Sequence, residues 1–255
     1  MTKPLPTPFR PKTADERGLP PIPYGWFVVG LSSELAVGEV KALRYFGREM
    51  VLFRTESGQA VVFDAHCPHL GADRGFGGKV VGESIQCPFH AWRFGADGTC
   101  LEVPECDRIP PKAKAQAWAT REQNGMILAW YHPDGHTPTF DVPACPDEGW
   151  TPVKSIVWRI RSHPQEVGEN TVDTAHMRPV HRTEPSRVRS GPELRGALME
   201  LSLAFLAPGE LVGMEGDNDV QLDIEMYGLG QIQVTSHVLN AGITARYWVN
   251  STPID

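Results

Sequence analysis

Two short stretches, CPHLGA at residues 67–72 and CPFHAWRF at residues 87–94, are the most informative part of this chain. The first pairs Cys67 with His69 and the second pairs Cys87 with His90, and 17 residues separate the pairs. A single zinc ion held by two Cys and two His usually takes them as like pairs, two to four residues apart. Mixed pairs instead favour a two-iron cluster in which two Cys bind one iron and two His the other. A Cys2His2 zinc site in a structural protein is the alternative.

The residues around these four ligands closely resemble the two cluster loops of Rieske proteins. Pro and Gly next to the ligands favour tight turns in which the backbone approaches the cluster closely. The chain lacks the extra pair of cysteines that bridges the cluster loops of respiratory Rieske proteins. The resemblance is therefore to the oxygenase or ferredoxin branch, and it implies a Rieske [2Fe–2S] cluster held by Cys67, His69, Cys87 and His90.

Composition excludes several other classes of protein. A chain of 255 residues with 41% apolar residues is long enough for one large or two modest domains. The net charge of −7 argues against nucleic acid or an anionic membrane as the main partner. The polar, proline-rich start is unlike a secretory signal, and no apolar stretch approaches the length of a membrane span. We therefore predict a cytoplasmic protein.

Three cysteines remain outside the cluster loops. A disulfide between Cys100 and Cys106 is one interpretation of their spacing, and Cys145 would then stay free. Three free thiols is the interpretation that a reducing cytoplasm favours.

Short strand patterns with turn residues between them dominate the first half of the chain. Asn124-Gly125 lies between two apolar runs, which is the strongest short-range signal of a β-hairpin. Residues 1–23 are predicted to be an extended arm, and residues 24–135 a small antiparallel β domain with the cluster at the tips of two loops. The predicted strands cover residues 26–31, 40–46, 50–54, 60–64, 117–121 and 126–131.

The second half is predicted to be a separate domain over residues 136–255, after a proline-rich connector. The pattern predicts a strand over 153–160 and a helix over 163–176. Apolar and polar residues alternate over 220–226 and 243–249, which indicates a sheet with one buried face. The predicted fold class is α+β, and mostly antiparallel β.

A second constellation lies at the end of the predicted helix. Asp173 and His176 are three residues apart and would share a helical face. Pro179 disfavours a continued helix, so the chain is expected to turn and bring His181 back beside His176. Two imidazoles and one carboxylate form the facial triad of non-haem Fe(II) oxygenases, which leaves positions open for O₂. Taken alone, such a His pair is more often a packing or surface feature.

Together with the cluster loops, this segment makes the chain resemble most of the N-terminal part of a Rieske non-haem iron oxygenase α-subunit. The nearest likeness is to terminal oxygenases of the ketosteroid hydroxylase kind. The resemblance implies that His176 and His181 bind a mononuclear Fe(II), and that Asp173 bridges to a cluster histidine of the neighbouring subunit in a head-to-tail homotrimer. The residues that match the family motif are Glu169, Asn170, Asp173, His176 and His181.

The resemblance also implies an enzyme activity. Electrons from a reductase or ferredoxin would pass through the cluster to the mononuclear iron, which activates O₂ to hydroxylate or desaturate an apolar, polycyclic or steroid-like substrate. The catalytic domain would be helix-grip-like but incomplete, because the family's third iron ligand is an Asp near the end of a longer chain. The alternative is a Rieske electron-transfer or binding protein with a non-catalytic iron site. We assign none of the late aspartates to iron, because solvated positions explain them better: Asp217 and Asp219 in a Gly/Asn-rich turn, Asp223 in an alternating strand, and Asp255 at the end of the sequence.

Overall fold

Antiparallel β-structure dominates the computed structural model, which describes residues 18, 21–106 and 108–255. Most of the arm predicted over residues 1–23 lies outside these described residues. No helix in the described part is long and apolar enough to cross a bilayer. The first ten strands are β1 (Gly25–Leu31), β2 (Val40–Tyr45), β3 (Arg48–Arg54), β4 (Ala60–Asp64), β5 (Lys79–Val81), β6 (Ser84–Gln86), β7 (Arg93–Gly95), β8 (Cys100–Glu102), β9 (Thr120–Gln123) and β10 (Met126–Tyr131).

These ten strands form three small sheets, ordered β1-β10-β9, β2-β3-β4 and β5-β6-β7-β8. The predicted hairpin is confirmed: Asn124 and Gly125 both have positive φ, and Met126 pairs with Gln123 across the turn. Its first strand begins at Thr120 rather than at residue 117. The cluster loops lie between β4 and β5 and between β6 and β7, so both leave the same part of the β-structure.

The second half contains one five-stranded sheet in sequential order and three short helices. Both alternating stretches that predicted strands are confirmed. The elements are α1 (Pro164–Val172), α2 (Met177–His181), β11 (Arg187–Arg195), β12 (Leu198–Pro208), α3 (Gly209–Val212), β13 (Asp217–Tyr227), β14 (Gln231–Val238) and β15 (Ile243–Asn250).

The two faces of this sheet differ in chemistry. Leu201, Ile224 and Val234 lie on one face, which packs against α1 and α2. On the opposite face the register places Ser202, Asp223 and Thr235 next to one another, and these side chains are only half-buried. The helices, and with them the second group of candidate ligands, therefore belong to the apolar side.

Two predictions for the second half are wrong in their boundaries. The predicted helix over 163–176 ends at Val172, and residues 173–176 form a turn before α2. Pro179 lies in the first turn of that second helix, where its missing N–H leaves no helical hydrogen bond unmade. Asp217 and Asp219, which we expected in a turn, begin β13.

The strand predicted over 153–160 is not formed. These residues have no regular secondary structure and pair with no described strand, and Trp158 is 75% exposed. An apolar, β-branched run predicts a preference for extended backbone, whereas a strand also requires a neighbour that completes its hydrogen bonds.

The two halves share a core. Trp26, Leu128 and Trp130 from the first half pack with Tyr227 from β13. The amide of Gln231 donates to the carbonyl of Trp26 at 3.4 Å. These contacts join the small β1-β10-β9 sheet to the polar face of the large sheet, away from the helices.

Candidate metal centres

The two cluster loops share one backbone geometry. In each, the carbonyl of the Cys accepts from the N–H four residues later, and the N–H of the Cys donates to the carbonyl five residues later. These distances are 2.9 and 2.9 Å in the Cys67 loop and 3.1 and 2.8 Å in the Cys87 loop. Gly71 and Ala91, the fourth residues, both have left-handed φ values, of 75° and 57°. The loops are thus matched turns that present one Cys and one His each.

The side chains in these loops divide by depth. Cys67 and Cys87 are buried and lie close enough to hydrogen-bond to each other. His69 is half-buried, His90 is exposed, and their ring centroids are 4.6 Å apart. Trp92 stacks on His69 with centroids 4.2 Å apart and planes inclined by 6°. The thiols therefore face the interior, and the imidazoles lie at the tip of the domain.

The state of the donor atoms fits a metal centre. Burial raises the pKa of the Cys67 thiol to about 11, against the opposing effect of a hydrogen bond from the His69 N–H. The Nδ1 atom of His69 is buried and has no hydrogen-bond partner. A buried nitrogen left in this way is costly unless it serves as a ligand, and metal binding displaces the proton of a thiol.

The grouping of the donors favours two metal ions over one. Tetrahedral zinc requires all of its ligand atoms close around one point. Among the described residues, three ligand atoms lie within 4.8 Å of one another in two groups, formed by His132, Asp134 and His136 and by Glu49, His66 and Asp73. The four cluster residues do not form such a group.

Arg74 is a residue of this centre that our reading of the sequence missed. Its side chain is fully buried and stacks over the rings of Phe63 and Phe94, at 5.2 and 5.1 Å. Phe63 and Phe94 belong to the same apolar core as the two cluster cysteines. An Arg in a glycine-rich loop is ordinarily solvated, so the sequence offers no signal of this burial.

The second centre is formed by the turn between α1 and α2. The rings of His176 and His181 lie 5.2 Å apart at an angle of 69°. The Nδ1 atom of His176 makes a short hydrogen bond with the carbonyl oxygen of Asp173. A carbonyl can only accept, so Nδ1 carries the proton and the neutral ring keeps a lone pair on Nε2. Metal-binding histidines are commonly oriented in this way.

Asp173 approaches His176 for a different reason from the one that we predicted. It caps α1 with non-helical angles (φ −76°, ψ 94°), so the two residues meet through the turn and not along a helical face. Its carboxylate lies 3.7 Å from the His176 Nδ1, is 53% exposed, and accepts the Ala175 N–H at 2.9 Å. Among the described residues, no Arg forms an ion pair with it.

The late aspartates lie away from this centre. Asp217, Asp219 and Asp223 lie at positions of β13 that alternate with the buried Val220 and Ile224, and so share the face opposite to α2. Asp223 is hydrogen-bonded to Ser202 at 2.6 Å and lies 3.3 Å from the Nε2 of His237. Asp255 follows residues whose carbonyls bond to the β2–β3 turn.

Comparison with known families gives two adjoining matches. The family described as the Rieske [2Fe-2S] domain matches residues 25–116. The family described as the 3-ketosteroid 9alpha-hydroxylase C-terminal domain matches residues 129–255. The first range contains both cluster loops and the second contains the His176–His181 centre. The chain belongs to the Rieske non-haem iron oxygenases, whose cofactors are a Rieske [2Fe–2S] cluster and a mononuclear iron, so the zinc alternative is wrong.

Two curated relatives illustrate the similarity. Cholesterol 7-desaturase nvd 1 of Ciona intestinalis is 38% identical over 176 residues, covering 68% of this chain and 37% of the relative. The oxygenase component of 3-ketosteroid-9-alpha-monooxygenase of Rhodococcus rhodochrous is 39% identical over 167 residues, covering 63% of this chain and 43% of the relative. The chain therefore spans about two fifths of the length of the curated relatives that it matches.

Solved structures support the fold. NdmA of Pseudomonas putida CBB5 with caffeine superposes with a TM-score of 0.64 at 18% identity, covering 90% of this chain and 70% of that one. Apo dicamba monooxygenase superposes with a TM-score of 0.65 at 22% identity, covering 90% and 72%. The predicted combination of a Rieske β domain with an oxygenase catalytic fold is thereby confirmed.

Proposed function

We propose that this chain acts in a terminal oxygenase component that hydroxylates or desaturates an apolar, steroid-like substrate. The observation that carries the proposal is the pair of matched Cys–His loops combined with the His176–His181 pair in one chain. The cluster, when bound, supplies one-electron transfer, and the mononuclear iron supplies the activation of O₂. Both curated relatives described above carry steroid names, which supports the substrate class.

The proposed ligands divide between the two centres. Cys67 and Cys87 hold the inner iron of the cluster, and His69 and His90 hold the outer one, in keeping with their depths. His176 and His181 hold the mononuclear iron, with the carbonyl of Asp173 fixing the orientation of the His176 ring.

The cluster assignment is tested by iron and sulfide analysis together with the visible spectrum. Cys67→Ser and His90→Ala are each expected to abolish the [2Fe–2S] absorption. Cys100→Ser is the matched control, because Cys100 is buried in the same core and is not a proposed ligand. Two irons and two sulfides per chain in either ligand variant would contradict the assignment.

The electron donor is proposed to be a separate reductase or ferredoxin. The sequence has no nucleotide-binding glycine fingerprint after a strand. His90 is exposed, and it offers the donor a short path to the cluster. Rapid reduction of the purified chain by NADH alone would contradict a separate donor.

The oligomer is proposed to be a head-to-tail homotrimer in which Asp173 connects the two centres of neighbouring subunits. The exposed carboxylate beside His176 supports this role, because it is available to a second imidazole from another chain. A carboxylate that accepts an imidazole N–H orients the ring and stabilises its protonated form.

Asp173→Asn tests this connection. We expect both metal centres to stay occupied while oxidation of the reduced cluster, followed in a single turnover with substrate and O₂, slows at least about tenfold. Asn keeps the size of the side chain and the acceptor for the Ala175 N–H but loses the charge. Equal single-turnover rates in variant and wild type would make Asp173 an ordinary surface carboxylate.

A Rieske electron-transfer or binding protein is the second candidate. It is favoured by the position of the late aspartates of β13, which lie on the sheet face opposite to α2. Incubation with donor proteins, O₂ and a panel of sterols and 3-ketosteroids, followed by mass spectrometry, separates the two functions. A reducible cluster with no oxidised steroid and no mononuclear iron would favour the second candidate.

A further inference from the structure

Arg74 is a buried cation with an incomplete set of partners. Its exposed fraction is 0%, and it donates to the carbonyls of Asp64, Ala65 and His66 at 2.8, 3.3 and 3.3 Å. Its second terminal nitrogen, Nη1, is buried and has no hydrogen-bond partner. Carbonyl dipoles solvate part of the guanidinium, but they supply no opposite charge.

No carboxylate among the described residues forms an ion pair with Arg74. Asp64 and Asp73, the carboxylates whose charge acts on Arg74, are engaged with other partners: Asp64 accepts from the Trp118 indole at 2.8 Å, and Asp73 accepts from the Gly75 N–H at 2.7 Å. A guanidinium remains protonated in proteins, so the charge cannot be removed by titration. A buried charge without a counter-charge is strongly unfavourable.

The thiols of Cys67 and Cys87, once ionised, would be further opposite charges for Arg74. Both sulfurs are buried in the same core as the phenyl rings on which the guanidinium lies. Thiols carry that negative charge once a metal has displaced their protons. Two thiolates and two sulfides balance the charge of two ferric irons, so the net negative charge that Arg74 lacks is supplied when the bound cluster is reduced.

We propose that Arg74 is the buried counter-charge of the iron–sulfur cluster and that its positive charge raises the reduction potential of the cluster. The proposal rests on the assignment of Cys67 and Cys87 under the proposed function. Reduction takes one electron from the partner donor protein, breaks no bond, and makes the cluster one charge unit more negative. A fixed cation beside the thiolates stabilises the reduced state more than the oxidised state, and salt screens such a buried interaction little. Arg74 is thus a positioning residue for electron transfer.

The experiment compares three substitutions with a matched control. Arg74→Gln keeps an amide donor and removes the charge, Arg74→Met removes both, and Arg74→Lys keeps the charge. Arg93→Gln is the control, because Arg93 follows the second cluster loop but is already paired with Glu102 at 2.8 Å and is partly exposed. Each full-length variant is analysed for iron and sulfide and then titrated electrochemically, with the visible spectrum as the readout.

The expected result is an order of potentials that follows charge. Arg74→Gln and Arg74→Met should each make one-electron reduction at least about tenfold less favourable, which corresponds to a midpoint about 59 mV lower. Arg74→Lys should lie closer to wild type than either, and Arg93→Gln should match wild type. Unchanged potentials in cluster-loaded Arg74→Gln and Arg74→Met would overturn the proposal.

Loss of the cluster is also decisive. If Gln and Met variants hold no cluster while Arg74→Lys is fully loaded, the charge is required for cluster binding and the proposal stands. If Arg74→Lys loses the cluster too, Arg74 acts through shape and hydrogen bonds, and the proposal fails. A wild-type chain that binds no [2Fe–2S] cluster would refute the ligand assignment itself, which is a separate outcome.

Discussion

The cluster loops and the α1–α2 turn both present metal ligands, but they are held in very different ways. Each cluster loop is closed by two backbone hydrogen bonds around its Cys, and the thiols lie in an apolar core with Arg74 and Phe94. The two histidines of the second centre lie on a four-residue turn and a five-residue helix, in which Met177 is the buried residue.

This difference predicts how strongly each metal is coupled to folding. The cluster completes a buried core, so its loss leaves buried polar and charged groups without partners. The second centre lies at the edge of the apolar face, where water can replace a lost ligand. The first region should therefore depend on its metal for stability, and the second should depend on its metal for activity alone.

The largest expected effect is on the cluster. We expect Cys87→Ser to lower the free energy of unfolding by at least about 4 kcal/mol, as the loss of a structural metal site does. His181→Ala should change it by less than about 0.5 kcal/mol, because the side chain lies at a half-exposed position. Urea unfolding of both variants, followed by tryptophan fluorescence, measures the difference. Equal destabilisation by the two substitutions would break the comparison.

A smaller loss of stability is expected from breaking an ion pair that joins two small sheets of the N-terminal half without any metal. Arg54, from β3, makes a two-pronged ion pair with Glu122, from β9, at 2.7 and 2.8 Å, and so joins two of the small sheets. Glu122→Gln should destabilise the protein by about 1.5–3 kcal/mol at neutral pH, because a charge-assisted pair is weakened and Arg54 is nearly buried. Urea unfolding gives the value.

The same pair predicts a pH dependence. The hydrogen bond from Arg54 holds the pKa of Glu122 below its ordinary value. A lowered pKa in the folded state stabilises the protein above the unfolded pKa of Glu, about 4.3, and this contribution disappears as the pH falls through the folded pKa. Wild type and Glu122→Gln should therefore converge in stability at acidic pH. A constant difference from pH 7 to pH 3 would contradict this account.

The smallest expected effect comes from the residue with left-handed backbone angles in each cluster loop, Ala91 in one and Gly71 in the other. Ala91 holds a left-handed conformation that costs a non-glycine residue about 1–2 kcal/mol, partly offset by the greater entropy of Gly in the unfolded chain. Ala91→Gly should therefore stabilise the protein by about 0.5–1 kcal/mol, measured as a shift of the urea midpoint with the cluster intact.

Gly71→Ala is the matched test in the other loop. A Cβ added at Gly71 meets no atom within 4 Å, so the cost is conformational and should be about 1 kcal/mol. Opposite signs at the two positions would confirm that the loops are equivalent in backbone geometry. The same sign at both would mean that the match is only superficial.

Local spacing in the sequence predicted the ligands of the candidate site, but it did not predict the residues that pack around them. The four cluster residues are recognisable because each Cys and His lies in a short motif together with the residues that form its turn. The spacing of Cys67 to Gly71 also equals that of Cys87 to Ala91, a signal that identifies Ala91 as left-handed. Nothing near Arg74 in the sequence distinguishes it from a solvated loop residue.

The errors in the second half have the same origin. The segment predicted as a strand over 153–160 has the right composition, but no described strand pairs with it. The predicted helix over 163–176 breaks at Asp173, where the side chain accepts the Ala175 N–H and competes with a helical bond. Local propensity cannot decide between such alternatives, because their free energies depend on what packs against the segment.

The sequence by itself therefore determined the family, the ligand types and the mostly antiparallel β fold, since these follow from motif spacing and side-chain alternation. Tertiary structure alone decided the depth of each ligand, the burial of Arg74 against Phe63 and Phe94, and the face of the large sheet on which the aspartates of β13 lie. The physical reason is that charge burial and sheet-face packing depend on contacts between residues far apart in the chain. Such contacts cannot be predicted from the residues that are neighbours in sequence.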